Sequence, residues 1–438
     1  MSTMVDSQLN DDHESRPRIP SAISDIIIDA AAHGDGRLHD AFTWLRANEP
    51  LGIAETATFD PFWVVTRHAD IRAIATKPEL FLSGETSITI IDRVQQERVI
   101  EYMAGKPNPT RMMISMDPPD HPIYRAITAK AFQARTLDET TDKVRAIARE
   151  FIAQMAATGG ECDFAKTIAF VYPLRVVMSL LGVPREDEPY LLRLTQEMVG
   201  THDPEQARGG VALSGAEAAN SQIEVVEDFN TYFAKIMADR RTNPQGDVAT
   251  LIAEARIDGE YLPTLEALSY YLILATAGHD TTAAATTGGM IELANNPEEF
   301  AKIKANPALV NSFVEEAIRW ISPAKMTMRT AAQDIEIAGR DIRKGELVGL
   351  AWASANRDEE VFDDPFTFHA DRKPNKLLSF GSGPHICLGQ HLARLEMRVL
   401  FEELLKRLEH VELTGAVRSV SSFQISGPKS APIRFSMN

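Results

Sequence analysis

The sequence predicts a mainly α-helical fold with a minor β portion. Three observations carry that prediction. Apolar residues recur at helical spacing over most of the chain, strand-like runs are few and short, and one helical stretch is as long as a domain is wide. Helical spacing runs from Thr141 to Ala157 and from Ser221 to Ala238. Pro263 marks the start of the longest helix, Thr264 to about Ala294, and Asn295, Asn296 and Pro297 mark its end. At about 1.5 Å per residue that helix spans on the order of 45 Å. Further helices are expected from Pro297 to Lys304, Pro307 to Ile321 and Leu388 to Leu408. Strands are expected at Phe62–Thr66 and Ile433–Met437, with a hairpin pairing Asp334–Ala338 with Glu346–Leu350 about Gly339 and Arg340.

The chain has 438 residues. Length alone gives a prior of about three domains at roughly 150 residues each. No repeat and no linker rich in Gly, Ser or Pro divides it, and a helix as long as the body organises one core. Residues 1–20 read as a disordered polar tail and residues 21–438 as one domain. The tail lacks the basic-then-apolar layout of a signal peptide, and no apolar run is long enough to span a bilayer. The 45 basic and 62 acidic residues leave a net charge of −17, which excludes general nucleic-acid binding. Two cysteines, Cys162 and Cys387, exclude a disulfide framework, a zinc ribbon and a covalent c-type haem attachment. A reducing, cytoplasmic location follows from that usage.

The strongest local signal is Phe380-Gly-Ser-Gly-Pro-His385-Ile-Cys387-Leu-Gly389. Gly381 and Gly383 permit a tight loop before the cysteine, and Gly389 permits a close neighbour after it. A helix is expected to begin right after Cys387, placing free N–H groups near the sulfur and favouring thiolate. One cysteine on a pre-shaped loop suits a single axial metal ligand, although lone cysteines are more often packing residues. On the long helix, Leu274, Ala277, Gly278, Thr281 and Ala285 form a stripe of small residues. Such a stripe accommodates a ligand or the close approach of another helix. Glu316 and Arg319 share a helix face, as do His121 and Arg125.

These motifs resemble the cytochrome P450 family. The cysteine loop matches that family's haem-binding signature at every fixed position, and Ala277-Gly-His-Asp280-Thr281-Thr282 resembles its oxygen-binding groove. The resemblance covers about Pro20 to the C-terminus. It points to the soluble bacterial branch, and within it to the terpineol-hydroxylating cytochrome P450. It implies haem b held between the long central helix and the cysteine-loop helix, with Cys387 as thiolate ligand of the iron. By resemblance Phe380 shields the sulfur, His121, Arg125, Arg329 and His385 hold the propionates, and Ala277, Gly278 and Gly389 make room for the haem. Asp280 relays protons, Thr281 handles bound dioxygen, and Thr282 adds a second hydroxyl. Glu316, Arg319 and Arg372 form a buried structural network, and Cys162 is a packing residue.

The implied activity is monooxygenation of an unactivated C–H bond in a small hydrophobic molecule. A monoterpenoid is expected, with an alkyl-aromatic or polycyclic hydrocarbon as the competitor. Ile88, Ile90, Ile91, Met103, Met326 and Phe423 are the expected substrate lining. Electrons are expected from a ferredoxin and its NAD(P)H-dependent reductase, docking on Lys130, Arg135, Lys373, Lys376 and Arg394 of a monomer. A peroxide-dependent haem enzyme and a haem sensor are the alternatives, disfavoured by the intact Asp280 and Thr281.

Overall fold

The structure, a computed structural model, describes residues 16–438. Most of the expected tail lies outside the described residues. Its last residues are anchored and not disordered: Arg16 donates two hydrogen bonds to Glu346, at 2.6 and 2.8 Å, and buried Ile19 joins Ile53 at 2.9 Å.

The apolar run at Phe62 forms the strand Phe62–Val65, buried on both faces, as its near-continuous hydrophobicity requires. It lies in a five-stranded sheet between Leu51–Ala54 and Leu347–Leu350, followed by Thr327–Ala331 and Phe81–Leu82. The expected hairpin is corrected. Ile335–Ile337 pairs with Arg340–Ile342 around Ala338 and Gly339, whose φ angles are +48° and +74°. Two left-handed residues make the tightest hairpin turn, so the chain reverses before Glu346. Leu347–Leu350 instead pairs antiparallel with Thr327–Ala331 and parallel with Phe62–Val65. The strand at the C-terminus, Pro432–Met437, lies between Leu408–Leu413 and Glu161–Asp163, with Cys162 opposite Ile433.

The helices enclose a second, larger interior. Thr141–Ala156 and Gly215–Thr242 bury their apolar stripes there. The expected central helix is two helices, Thr264–Ala277 and Asp280–Asn295, interrupted at Gly278 and His279. Both are apolar nearly all round, as interior helices must be. The second is pressed against its neighbours. A Cβ on Gly288 would lie 2.1 Å from Ile321, and one on Gly289 3.1 Å from Phe313. Ile321 and Phe313 belong to Val310–Ile321, the helix that carries Glu316 and Arg319. The cysteine-loop helix is Gln390–Arg407, starting three residues after Cys387 and not directly after it. Among the described residues, no helix is long and apolar enough to cross a membrane.

Candidate functional site

The loop before Cys387 is closed by its own backbone. Gly381 N–H donates to Leu378 O at 2.8 Å, and Cys387 N–H donates to Phe380 O at 2.8 Å. Gly383 has φ +71°, and a Cβ there would lie 2.3 Å from Ala75 O, so glycine is required on both counts. Arg394 lies 4.3 Å from the Phe380 ring centroid, a cation–π contact on the same side chain expected to shield the sulfur.

Cys387 opens onto a cavity of about 280 Å³. The residue is exposed by area, and that area is cavity wall. Burial pushes the thiol up, while the Gly389 N–H and the charges of Arg125 and Arg394 pull it down. The expected bias toward thiolate is therefore opposed by desolvation in the protein alone; a bound cation at the sulfur would reverse the balance.

The central helices give the cavity Ala277, Gly278, Thr281 and Thr282. Thr281 Oγ1 donates to Ala277 O at 2.9 Å, which satisfies a carbonyl freed by the helix interruption. Gly278 lines the cavity, and the space its missing side chain leaves is filled by a neighbouring wall residue. A Cβ there would lie 2.8 Å from Val177 of Val171–Leu180. The small-residue stripe thus serves helix packing at Gly278 and cavity room at Ala277 and Thr281. Asp280 is buried and does not line the cavity.

Four nitrogen-bearing side chains reach the cavity together: His121, Arg125, Arg329 and His385. His121 and His385 stack with centroids 4.0 Å apart. Arg125 donates to Ile386 O at 2.6 Å, and buried Arg329 donates to Met328 O at 2.7 Å. His121 Nε2 is buried with no partner. Burial lowers Arg329 to about 10, and burial with the charges of His121, Arg329 and Arg125 lowers His385 to about 3. Such a cluster without an anion is incomplete. Two carboxylates at this rim would supply the missing acceptors, which is what haem propionates present beside a cysteine-bound iron. The residues present fit that group.

Behind the loop, Glu316 accepts from Arg319 twice, at 2.7 Å each, and from Arg372 at 2.9 and 3.0 Å. Asn375 adds a bond at 3.1 Å. Burial alone would raise the Glu316 carboxyl; Arg319 and Arg372 overcome it and hold the group below its ordinary value.

The substrate lining requires correction. Of the six expected residues only Ile88 lines the large cavity. Ile90, Ile91 and Phe423 line a separate, smaller one, where the Phe423 ring contacts His33, Phe59 and His202 edge-on. Met326 is buried in the sheet, its sulfur filling the space over Gly349. Met103 caps the helix Arg93–Tyr102 and lines neither cavity. The large cavity is walled by Leu274 of the expected stripe, by Ala324 and Thr327, and by Ile273, Val177 and Leu181, of which only the last three were not singled out by the sequence pattern. Arg394 is also corrected as a free docking cation, since Glu315 holds it by two bonds of 2.6 and 3.0 Å. Lys130, Arg135, Lys373 and Lys376 are exposed.

A single cysteine on a rigid loop, facing an apolar cavity with a cationic rim, defines a haem-thiolate protein. The sequence profile described as Cytochrome P450 matches residues 93–426. The chain is 42% identical over 424 residues to Cytochrome P450-terp of Pseudomonas sp., covering 96% of this chain and 99% of that one. It is 31% identical over 421 residues to the steroid C26-monooxygenase of Mycolicibacterium smegmatis, covering 94% and 93%. The crystal structure of CYP108D1 from Novosphingobium aromaticivorans superposes with a TM-score of 0.88 at 38% identity, covering 96% of this chain and 100% of that one. The chain belongs to the cytochrome P450 family; it is a monooxygenase whose cofactor is haem b.

Proposed function

We propose that this enzyme hydroxylates an unactivated C–H bond of a small hydrophobic substrate of monoterpenoid size. The observation that carries the reading is the apolar wall around Thr281 in the cavity that Cys387 faces. Such a wall holds its ligand by burial, with few polar groups to orient it. The similarity to Cytochrome P450-terp supports a terpenoid over a larger substrate.

When bound, haem supplies the oxygen chemistry: one atom of O2 enters the C–H bond and the other leaves as water, with two electrons and two protons consumed. Cys387 ligates the iron as thiolate. Arg125, Arg329, His121 and His385 hold the propionates. The apolar wall excludes water and fixes which C–H bond is presented. Thr281 would hold or move a proton in the cavity by turning its hydroxyl away from Ala277 O, with Asp280, the residue before it, as the buried carboxylate that would supply that proton. Glu316, Arg319 and Arg372 keep the cysteine loop in place. The electrons come from a ferredoxin served by an NAD(P)H-dependent reductase, docked on the face carrying Lys130, Arg135, Lys373 and Lys376. The enzyme works as a cytoplasmic monomer, with the catalytic unit in residues 21–438.

The test is the low-to-high spin shift of the ferric protein, titrated with α-terpineol, alkylbenzenes and fused aromatics. A saturable shift with α-terpineol, followed by an alcohol product on reconstitution with a ferredoxin, supports the reading. A shift confined to the aromatics overturns it.

A further inference from the structure

Thr327 and Arg329 lie two apart on the strand Thr327–Ala331, so their side chains share a face. Both line the large cavity, while Met328 between them turns into the core of the sheet. The Met328 N–H donates to Ile88 O at 2.9 Å, which seats the apolar residue Ile88 of the wall beside Thr327. Thr327 pairs with Leu350 of the neighbouring strand, and Trp352 follows two residues further on. The Trp352 indole Nε1 donates to Thr327 Oγ1 at 2.9 Å. An indole N–H only donates, so this bond occupies a lone pair of the hydroxyl and leaves its hydrogen unspent. Among the described residues, no protein acceptor receives that hydrogen. The other hydroxyls of the cavity differ. Thr281 donates to Ala277 O at 2.9 Å, and Ser379 donates to Ile318 O at 2.9 Å. Thr282 makes no side-chain hydrogen bond among the described residues, so no neighbour fixes its direction. Thr327 is the cavity hydroxyl that is both held in place and left with a hydrogen to give.

We propose that Thr327, aimed by the Trp352 indole, determines specificity by donating a hydrogen bond to an oxygen of the substrate. The substrate is then an alcohol, ether or carbonyl compound, not a bare hydrocarbon. Its carbon skeleton lies against Ile88, Val177, Leu274 and Ala324. Apolar contacts hold such a skeleton by burial but give it little direction, because the hydrophobic effect is non-directional. One fixed donor supplies the direction and so selects which C–H bond is presented. It also selects against a hydrocarbon of the same shape, which would leave the donor unpaired in an apolar wall. The inference rests on the proposed hydroxylation in this cavity and deepens it; it does not depend on a terpenoid skeleton.

The test is a binding cycle on the ferric holoenzyme, read by the spin shift. Two pairs of ligands are titrated, each an alcohol with its hydrocarbon counterpart: α-terpineol with menthene, and cumyl alcohol with cumene. Thr327→Val keeps the shape of the side chain and removes the hydroxyl. It should weaken the alcohol about 3- to 10-fold relative to the hydrocarbon. Thr327→Ser should restore the alcohol. On reconstitution, Thr327→Val should spread the oxygen over more carbon positions of the alcohol, because the skeleton is no longer held in one orientation.

Thr327→Val also leaves the Trp352 N–H without its acceptor, so a second variant separates aim from shape. Trp352→Phe keeps the Thr327 hydroxyl and removes what fixes it. It should lose part of the alcohol preference, and it should cost no further preference when added to Thr327→Val. An alcohol-to-hydrocarbon affinity ratio that Thr327→Val leaves unchanged in both pairs overturns the proposal. Equal weakening of alcohol and hydrocarbon, with faster haem transfer to an acceptor globin, overturns it by giving the hydroxyl to a haem carboxylate. A loss of alcohol preference in Thr282→Val and none in Thr327→Val overturns it in favour of the central helix. No shift with either terpenoid, beside a ratio for cumyl alcohol and cumene that falls in Thr327→Val, overturns the terpenoid assignment and upholds this proposal. No shift with any of the four ligands overturns both.

Discussion

Arg319 holds Glu316 through two hydrogen bonds of 2.7 Å, and neither side chain has any exposure to solvent. An ion pair taken this far from water stabilises only while it is complete, because each charge depends on its partner to offset desolvation. Glu316→Ala strands Arg319 and Arg372 together. The expected outcome is a loss of about 3–5 kcal/mol, read by urea unfolding, with haem content falling alongside. The pH dependence has a defined sign. The Glu316 carboxyl is held below its ordinary value, so its stabilisation is present above about pH 4.5 and is lost as pH falls through the folded value. A Glu316→Ala protein with normal stability and haem content would exclude this role.

Gly278 and Val177 make a second, opposite case, where the constraint is a missing atom. A methyl on Gly278 would sit 2.8 Å from a Val177 methyl and 3.0 Å from Leu274 O. Helix propensity favours alanine by about 1 kcal/mol, but overpacking costs about 1–3 kcal/mol. Overpacking wins, because one of the two close atoms is backbone. Gly278→Ala should therefore be destabilised, and adding Val177→Ala should recover part of the loss. Thermal unfolding of the three variants checks this; a stabilised Gly278→Ala would show that the two helices move apart freely.

Arg329 is buried at the cavity rim with a backbone carbonyl as its hydrogen-bond partner. Burial lowers it to about 10, a condition an anion would relieve. Arg329→Leu removes a charge-assisted contact worth about 1.5–3 kcal/mol to a bound carboxylate, so haem retention should weaken roughly 10- to 100-fold. The haem-free protein should be no less stable than before, since the variant no longer buries an unpaired charge. Haem transfer to an acceptor globin and unfolding of the haem-free form measure the two effects. Faster haem loss together with a destabilised haem-free protein would make Arg329 a folding residue instead.

The parts of this site that the sequence displayed are those held by local chemistry. Gly381 and Gly383 announce the cysteine loop because their positive φ angles need glycine whatever surrounds them. Glu316 and Arg319 announce their pairing because three residues on a helix put them on one face. The interruption at Gly278 and His279 was not visible, because both residues can sit in a continuous helix. The contact that His279 makes at the interruption comes from afar: the Phe170 carbonyl bonded to its ring is 109 residues away in the chain. The substrate lining failed for a related reason. A loop's position along the chain does not say which way its side chains turn, and Met326 and Phe423 turn into packing of their own. The displaced hairpin near Gly339 shows the limit of alternation as a guide. Leu347–Leu350 is buried on several neighbours at once, so its pattern names no single partner strand.

Lys325 lies two residues before Thr327, a cavity-wall residue, yet its amine is fully interior and donates to Ile321 O. Burial, with the charge of Arg357 added, lowers it from 10.5 to about 7. Between those values the unfolded chain binds a proton that the folded chain sheds. Stability must therefore rise with pH across the window from about 7 to 10.5, with a slope approaching the one-proton limit of about 1.4 kcal/mol per pH unit. Lys325→Met keeps the apolar stem and removes the titration. The lost bond to Ile321 O lowers stability by a pH-independent amount, so the slope and not the level is diagnostic. Urea unfolding at pH 7, 8 and 9 should give rising stability in the unaltered protein and a flatter line in Lys325→Met. Equal slopes would mean that the amine reaches water in solution and keeps its charge.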